Sequence, residues 1–344
     1  MSNYYDGTKL LSIKDLNGNT PEIFICTSNR SGGKTTYFSR YLVNKFLKKN
    51  EKFMLIYRYK YELDSISDKF FKDIRELFFK DYVMTSKSCA KGIYHELYLN
   101  DVACGYAVAL NSADQLKKVS HLFSDTTRMF FDEFQSETNQ YCSDEIRKFI
   151  SLHTTVARGQ SKMVRYVPVI MCSNPVSIIN PYYTKLGISE RLKSDTKFLR
   201  GNGFVLEQGF VKSASEAQSS SGFNSAFEGD KYIEYAGQGV YLNDTKSFIE
   251  KMHGVSTYIA TIKFEGKEYS LKEFYSNGII YCDTSVDSTF KNKLVISTDD
   301  HEINYVMLKR NDIFISQLRY FFEKGCFRFK DIQCKRAVLA MISY

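Results

Sequence analysis

The chain has 344 residues, with 47 Lys and Arg against 39 Asp and Glu, a formal net charge of +8 and an apolar fraction of 43%. That balance excludes whole-chain disorder, collagen and a long coiled coil, and the length fits about two domains. No apolar run reaches the roughly 18 residues of a membrane helix, and Met1-Ser2-Asn3-Tyr4-Tyr5-Asp6 lacks a signal-peptide pattern, so a cytosolic chain with no membrane partner is expected.

In chain order, residues 22–27 (EIFICT) read as a short buried strand, followed by a Gly-containing turn and a helix over 35–49. Residues 53–57 form the next apolar run, and 66–79 have helical spacing. Residues 94–100 and 104–110 read as two strands of a hairpin around Asp101-Val102. A helix over 112–123 leads into a strand at 128–131, 144–156 is helical, and 167–172 is another buried strand. Continuous apolar strands separated by helices predict an α/β domain built on a mainly parallel sheet covered on both faces.

Composition then changes. Residues 213–227 are Ser-rich and flanked by Gly201, Gly203, Gly209, Gly222 and Gly229, the chemistry of a linker or mobile flap. Beyond it, strands at 256–265, 279–283, 293–297 and 302–308 and helices at 312–323 and 331–342 predict a small α+β domain. The expected division is 1–185, a Ser/Gly-rich lid or linker over 186–228, and 229–344. Eight widely spaced Cys without a CxxC pair, and only five His, argue against structural zinc and for buried reduced thiols.

The chemistry concentrates at strand ends. Residues 28–36 read Ser28-Asn29-Arg30-Ser31-Gly32-Gly33-Lys34-Thr35-Thr36, between a buried strand and a helix. Glycines let successive N–H groups converge on a phosphate, and the helix N-terminus adds positive partial charge. Lys34 is expected at the β/γ-phosphates of ATP and the Thr35 hydroxyl on Mg²⁺. Ser28 departs from the glycine that usually opens this pattern. After the strand at 128–131, Asp132 is expected to hold the metal through water, and Glu133 to act as general base on the attacking water or at least to orient it. The strand ending at Cys172 continues into Ser173-Asn174, side chains suited to sensing a terminal phosphate; a plain Asn-Pro turn is the alternative. Among the cations, Arg30 lies inside the loop, and Arg158 follows the helix over 144–156, where it would serve as an arginine finger in trans or as a solvated surface residue. Lys117-Lys118 is a weaker candidate for that role. Arg58, Lys60, Lys87 and Lys91 are candidates for DNA-facing loops.

Taken together, SNRSGGKTT, MFFDE, the SN strand end and a shorter α+β tail after a Ser/Gly-rich flap resemble the phi29-like DNA encapsidation proteins, packaging ATPases of small tailed phages within the terminase large-subunit group. The resemblance implies an additional-strand, RecA-like P-loop ATPase. It implies a homo-oligomeric ring, with five as the expected number, on the portal protein of an empty capsid in the bacterial host cytoplasm. ATP hydrolysis would drive double-stranded DNA inward, with a structural packaging RNA as a further partner. Arg30 maps onto the terminase phosphate-loop arginine, Asp132 and Glu133 onto the metal and base pair, Ser173 and Asn174 onto the coupling segment, and Arg158 onto the trans finger. The tail resembles an RNase-H-like nuclease domain with a departure: its first strand, TYIATIKF, carries Lys263 and no acid before Glu265, while Asp283, Asp287, Asp299 and Asp300 lie elsewhere. A two-metal nuclease needs converging carboxylates, so a vestigial, nonhydrolytic domain is expected. The competing readings are a cellular-type DNA translocase or ring helicase, a nucleotide-binding scaffold without turnover, and a terminase that cuts DNA.

Overall fold

The computed structural model describes residues 4–138, 140–159, 163–189, 191–192, 196–238, 241, 248–308 and 312–342. The chain forms two compact units, Met1–Asn243 and Asp244–Tyr344.

The first unit begins with α1 (Thr8–Ser12), β1 (Ile23–Thr27), α2 (Lys34–Lys49), β2 (Lys52–Tyr57) and α3 (Tyr61–Phe78). Three strands follow, β3 (Met84–Cys89), β4 (Tyr94–Leu99) and β5 (Val102–Ala109), then α4 (Ala113–Leu116), β6 (Thr126–Asp132), α5 (Glu145–Val156), β7 (Val169–Ser173) and α6 (Pro181–Lys185). The unit closes with β8 (Phe198–Gly201), β9 (Phe204–Gln208), α7 (Lys212–Ser219), α8 (Gly222–Ala226) and α9 (Lys231–Gln238).

Its nine strands are ordered β3-β4-β5-β2-β6-β7-β1-β9-β8. The six from β5 to β9 are parallel, and antiparallel strands occupy both edges. Strand β7 is inserted between β1 and β6, which is the additional-strand arrangement. Because Thr27 pairs with Ser173 and Asp132 with Cys172, the carboxyl ends of these three strands lie side by side. In an open parallel sheet that edge is where ligands bind. Apolar side chains alternate between two cores, Met129 and Phe131 on one face of the sheet and Phe130 on the other.

The expected hairpin is present. Leu99 faces Val102 across Asn100 and Asp101, both with positive φ (47° and 62°), as a tight two-residue hairpin turn requires. Strand β3 and the β8–β9 hairpin extend the sheet beyond expectation. The helix expected over 112–123 is a single α turn, α4, followed by 3-10 turns from Lys117 to Phe123. The lid or linker expected over 186–228 instead contains β8, β9, α7 and α8, and the first unit runs to Asn243. Val211 and Ala214 are buried in the core under this segment, which anchors its Ser-rich helices.

The second unit contains β10 (Thr257–Phe264), β11 (Lys267–Phe274), β12 (Ile279–Asp283), β13 (Lys293–Val295), β14 (Val306–Met307), α10 (Ile313–Glu323), β15 (Phe327–Phe329) and α11 (Ile332–Ile342). Strand order is β14-β13-β10-β11-β12-β15. An antiparallel meander, β10 to β12, carries two parallel strands on its first member, the RNase-H-like order. Ala260, Ile262, Leu271 and Cys282 pack there with Leu318 and Val338 from the two helices. All eight cysteines are free thiols, and among the described residues no helix is long and apolar enough to cross a membrane.

Candidate nucleotide site

Strand β1 delivers the chain to the loop 28–33, and α2 takes it away. Gly33 caps α2 at φ +85°, a left-handed conformation that glycine adopts without a Cβ clash. Ser31 shares the left-handed region at φ 60°. The first turn of α2, Lys34-Thr35-Thr36, therefore presents N–H groups that no preceding helical carbonyl can accept. Ser28 and Asn29 are buried. The small Ser28 tolerates this: its N–H donates to the Ser173 carbonyl across the β1–β7 pair (3.4 Å). Asn29 is scaffold: its amide donates to the Val211 and Gly237 carbonyls (3.0 and 3.3 Å) and its oxygen accepts from the Val211 N–H (2.9 Å). Gly32 packs so tightly that a Cβ would lie 2.9 Å from a Val211 methyl.

The Thr35 hydroxyl lies near the Asp132 carboxylate and favours its charged form, so the two residues expected at the metal face each other across the cleft. Lys34 is buried, and its ammonium donates to Asn174 Oδ1 (2.7 Å) and the Ser28 carbonyl (3.3 Å). Ser173 is buried beside it, and its hydroxyl has no hydrogen-bond partner among the described residues. Glu133 is exposed, at φ 53°, with its N–H donating to Asp132 Oδ1 (3.1 Å). An open cleft of about 750 Å³ is walled by Arg30, Glu133, Ser173 and Asn174, among others. The donor set suits a magnesium-bound triphosphate: a hydroxyl and a carboxylate facing each other, two cations, and an orphaned hydroxyl on the cleft wall.

The partners of two arginines escaped the sequence reading. Arg58, assigned there to a DNA-facing loop, is instead buried. A lone Arg after a strand carries no signal of burial, and its partner is 87 residues away: Arg58 Nε donates to both oxygens of Glu145 (3.1 and 3.0 Å). The same guanidinium donates to the backbone carbonyls of Glu133 (3.3 Å) and Phe134 (2.6 Å). Arg30 pairs with Glu137 (2.5 Å), which was not singled out. Arg158 lies at the other end of the sheet. It is exposed and donates to Ser120 Oγ (2.9 Å), near the start of β6, about 20 Å along that strand from Asp132 at ~3.3 Å per residue. It takes no part in its own subunit's phosphate site. Lys117 pairs with Asp114 on the surface (3.0 Å), and Lys60 donates to the Lys91 carbonyl at the β3–β4 turn (3.2 Å).

Burial, reinforced by the neighbouring Glu133 charge, pushes the Asp132 carboxyl up to about 6 against the opposing pull of Thr35 and Lys34. A carboxyl that holds its proton more tightly folded than unfolded contributes stability below about pH 4 and loses it as pH rises through about 6. Asp132→Asn is therefore expected to stabilise the nucleotide-free protein at pH 7.5 by up to about 3 kcal/mol, with the gain vanishing near pH 4. Urea midpoints at both pH values check this; a gap independent of pH would contradict it.

Comparison with known proteins agrees with the geometry. The chain is 26% identical over 304 residues to the DNA packaging protein of Bacillus phage phi29, with 87% of each chain covered. It is 26% identical over 313 residues to that of Bacillus phage B103, covering 90% of this chain and 92% of the relative. Among solved structures, the bacteriophage phi29 viral genome packaging motor assembly matches with a TM-score of 0.63 at 24% identity, covering 100% of this chain and 98% of that one. The Phi-28 gp11 DNA packaging motor matches with a TM-score of 0.64 at 15% identity, covering 99% and 98%. These two likenesses establish a common fold. The podovirus DNA encapsidation protein (Gp16) family matches residues 1–342, nearly the whole length, and the chain belongs to that family.

Proposed function

We propose that this DNA packaging protein is an ATP-hydrolysing motor that moves double-stranded viral DNA into a preformed capsid. The observation that carries the reading is that Thr35, Asp132, Lys34 and Asn174 meet at one cleft, delivered by three separate strand ends. Mg²⁺ held by Thr35 and Asp132 would offset negative charge on the β- and γ-phosphates. Lys34 and Arg30 bind the phosphate oxygens, Ser173 and Asn174 face the terminal phosphate, and Glu133 accepts the proton of the water that attacks the γ-phosphorus as the bond to ADP breaks.

The reading of the assembly is supported by a solved likeness, the bacteriophage phi29 viral genome packaging motor assembly. A homo-oligomeric ring of five subunits on the portal, in the host cytoplasm, is the expected state. Arg158 then acts on a neighbour's nucleotide, since its own site lies at the far end of the sheet. Arg158→Ala is expected to lower turnover of assembled rings by about 10³-fold with nucleotide binding retained. Mixed rings of Arg158→Ala and Glu133→Gln subunits should restore part of the activity only if the finger works in trans, and wild-type turnover by the Arg158→Ala ring would dismiss it.

In the second unit, Lys263 pairs with Glu302, and Asp283 sits between Lys272 and Lys330 (3.0 Å each). Lysine ammonium groups occupy the face where a nuclease gathers acids around metal ions, which supports a domain that binds without cutting. Its lysines suit the phosphates of a structural packaging RNA. Phosphate release from ATP with and without duplex DNA, at protein concentrations spanning ring assembly, tests the proposal. DNA-stimulated release that rises with assembly is expected, and no hydrolysis under any condition would refute it.

A further inference from the structure

A line of polar side chains joins the two cations of the phosphate site. Lys34 Nζ donates to Asn174 Oδ1 (2.7 Å). That contact fixes the orientation of the amide, so its NH₂ group faces the other way, toward the Tyr235 phenol, whose charged form it favours. The Tyr235 hydroxyl in turn donates to Glu137 Oε1 (2.8 Å), and Arg30 Nη2 donates to that same oxygen (2.5 Å). Every donor and acceptor along this path has the polarity its neighbour needs. Tyr235 is 1% exposed, and its ring packs with Val176 and Ala236.

Tyr235 lies on α9, which is attached to the phosphate loop by its backbone as well. The Arg30 N–H donates to the Ala236 carbonyl (3.1 Å), and the Asn29 amide donates to that of Gly237 (3.3 Å). Arg30 also lies over the Tyr232 ring, 5.3 Å from its centroid. Both cations that a triphosphate needs are thus bound to groups that hold α9 in place.

We propose that Tyr235 is a positioning residue of the nucleotide site: it orients the Asn174 amide, and its release reports a bound triphosphate to helix α9. The proposal rests on the ATPase reading above. A γ-phosphate draws Lys34 from Asn174 and Arg30 from Glu137, because a dianionic phosphate is a stronger acceptor for both than an amide or a single carboxylate already shared with Tyr235. The line then loses both anchored ends, and α9 keeps only its backbone contacts. ADP lacks the phosphate that competes for Arg30, so it leaves the Glu137 end closed.

Hydrogen exchange across residues 231–238 of the full chain tests this, with a nonhydrolysable ATP analogue, ADP or no nucleotide, and binding measured on the same samples. In the wild type, the analogue should speed exchange there by about tenfold and ADP by much less. Tyr235→Phe keeps the ring and removes only the hydroxyl. It should exchange at the fast rate without nucleotide and respond little to the analogue. Its turnover should fall about fivefold with KM for ATP raised, because Glu137 without the Tyr235 hydroxyl holds Arg30 more tightly. A packing defect alone would not change KM. If Tyr235→Phe does not fold, Glu137→Gln retains the Tyr235 acceptor while removing the Arg30 ion pair, and it should speed exchange of 231–238 without nucleotide. Exchange that ignores the analogue in wild-type protein that binds it overturns the role of Tyr235 and leaves the ATPase reading intact. Wild-type protein that binds no triphosphate overturns the ATPase reading itself.

Discussion

Glu133→Gln should lower ATP turnover by about two to four orders of magnitude while the protein still binds and traps ATP. The carboxylate is exposed at the cleft, and its backbone is held from two sides, by Asp132 Oδ1 at its N–H and by Arg58 at its carbonyl. Glutamine has the same shape and can orient a water, but its amide cannot take the proton. The side chain supports no packing, so the loss should appear in the chemical step and not in stability. Removing its charge also removes one of the two influences that raise the Asp132 carboxyl. The pH below which magnesium-dependent ATP binding fails should therefore move down in the variant. Filter binding of labelled ATP beside single-turnover hydrolysis separates the two effects. Hydrolysis above a tenth of the wild-type rate would remove Glu133 from the role of base.

Arg58→Met should cost about 3–5 kcal/mol of stability, because it leaves Glu145 charged and buried. Among the described residues, Glu145 would keep the Tyr182 hydroxyl (2.8 Å) and the Cys142 N–H (2.9 Å) as donors and no cation. It should also lower turnover, since two carbonyls that follow Asp132 lose their donors. Glu133 occupies the left-handed region at φ 53°, a conformation costing a residue other than glycine roughly 1–2 kcal/mol, so its backbone needs such a restraint. Pairing Arg58→Met with Glu145→Gln removes the unpaired charge. Denaturant midpoints should recover in the double variant while turnover stays low. Turnover that recovers along with stability would reduce Arg58 to a purely structural group.

What was legible in the sequence follows from distance along the chain. The phosphate loop is contiguous, so the order of its glycines, Lys34 and Thr35 is itself the local geometry. Asp132 and Glu133 were legible because an apolar strand must end where its polar residues begin. The β8–β9 hairpin was overlooked although Asn202-Gly203 is a two-residue turn signal, with Gly203 at φ 76°. Ser-rich composition outweighed it, and the same composition made α7 and α8 read as linker. Those short helices lack the length to be stable alone; they form where Val211 and Ala214 enter the core and Asn29 holds the backbone of Val211.

By itself the sequence determined that a Gly-Gly-Lys-Thr loop joins a strand to a helix, that two carboxylates end another strand, and that a parallel sheet carries both. Each of these depends on residues within a few positions of one another, where backbone geometry follows directly from residue type. Only the tertiary structure decided that β7 separates β1 from β6, that Arg58 is an internal strut, that Arg158 sits at the far end of the sheet, and that Tyr235 reaches Asn174. Those facts depend on which distant groups share a desolvated site, and burial of a charge or a phenol is settled by partners that the local sequence does not contain.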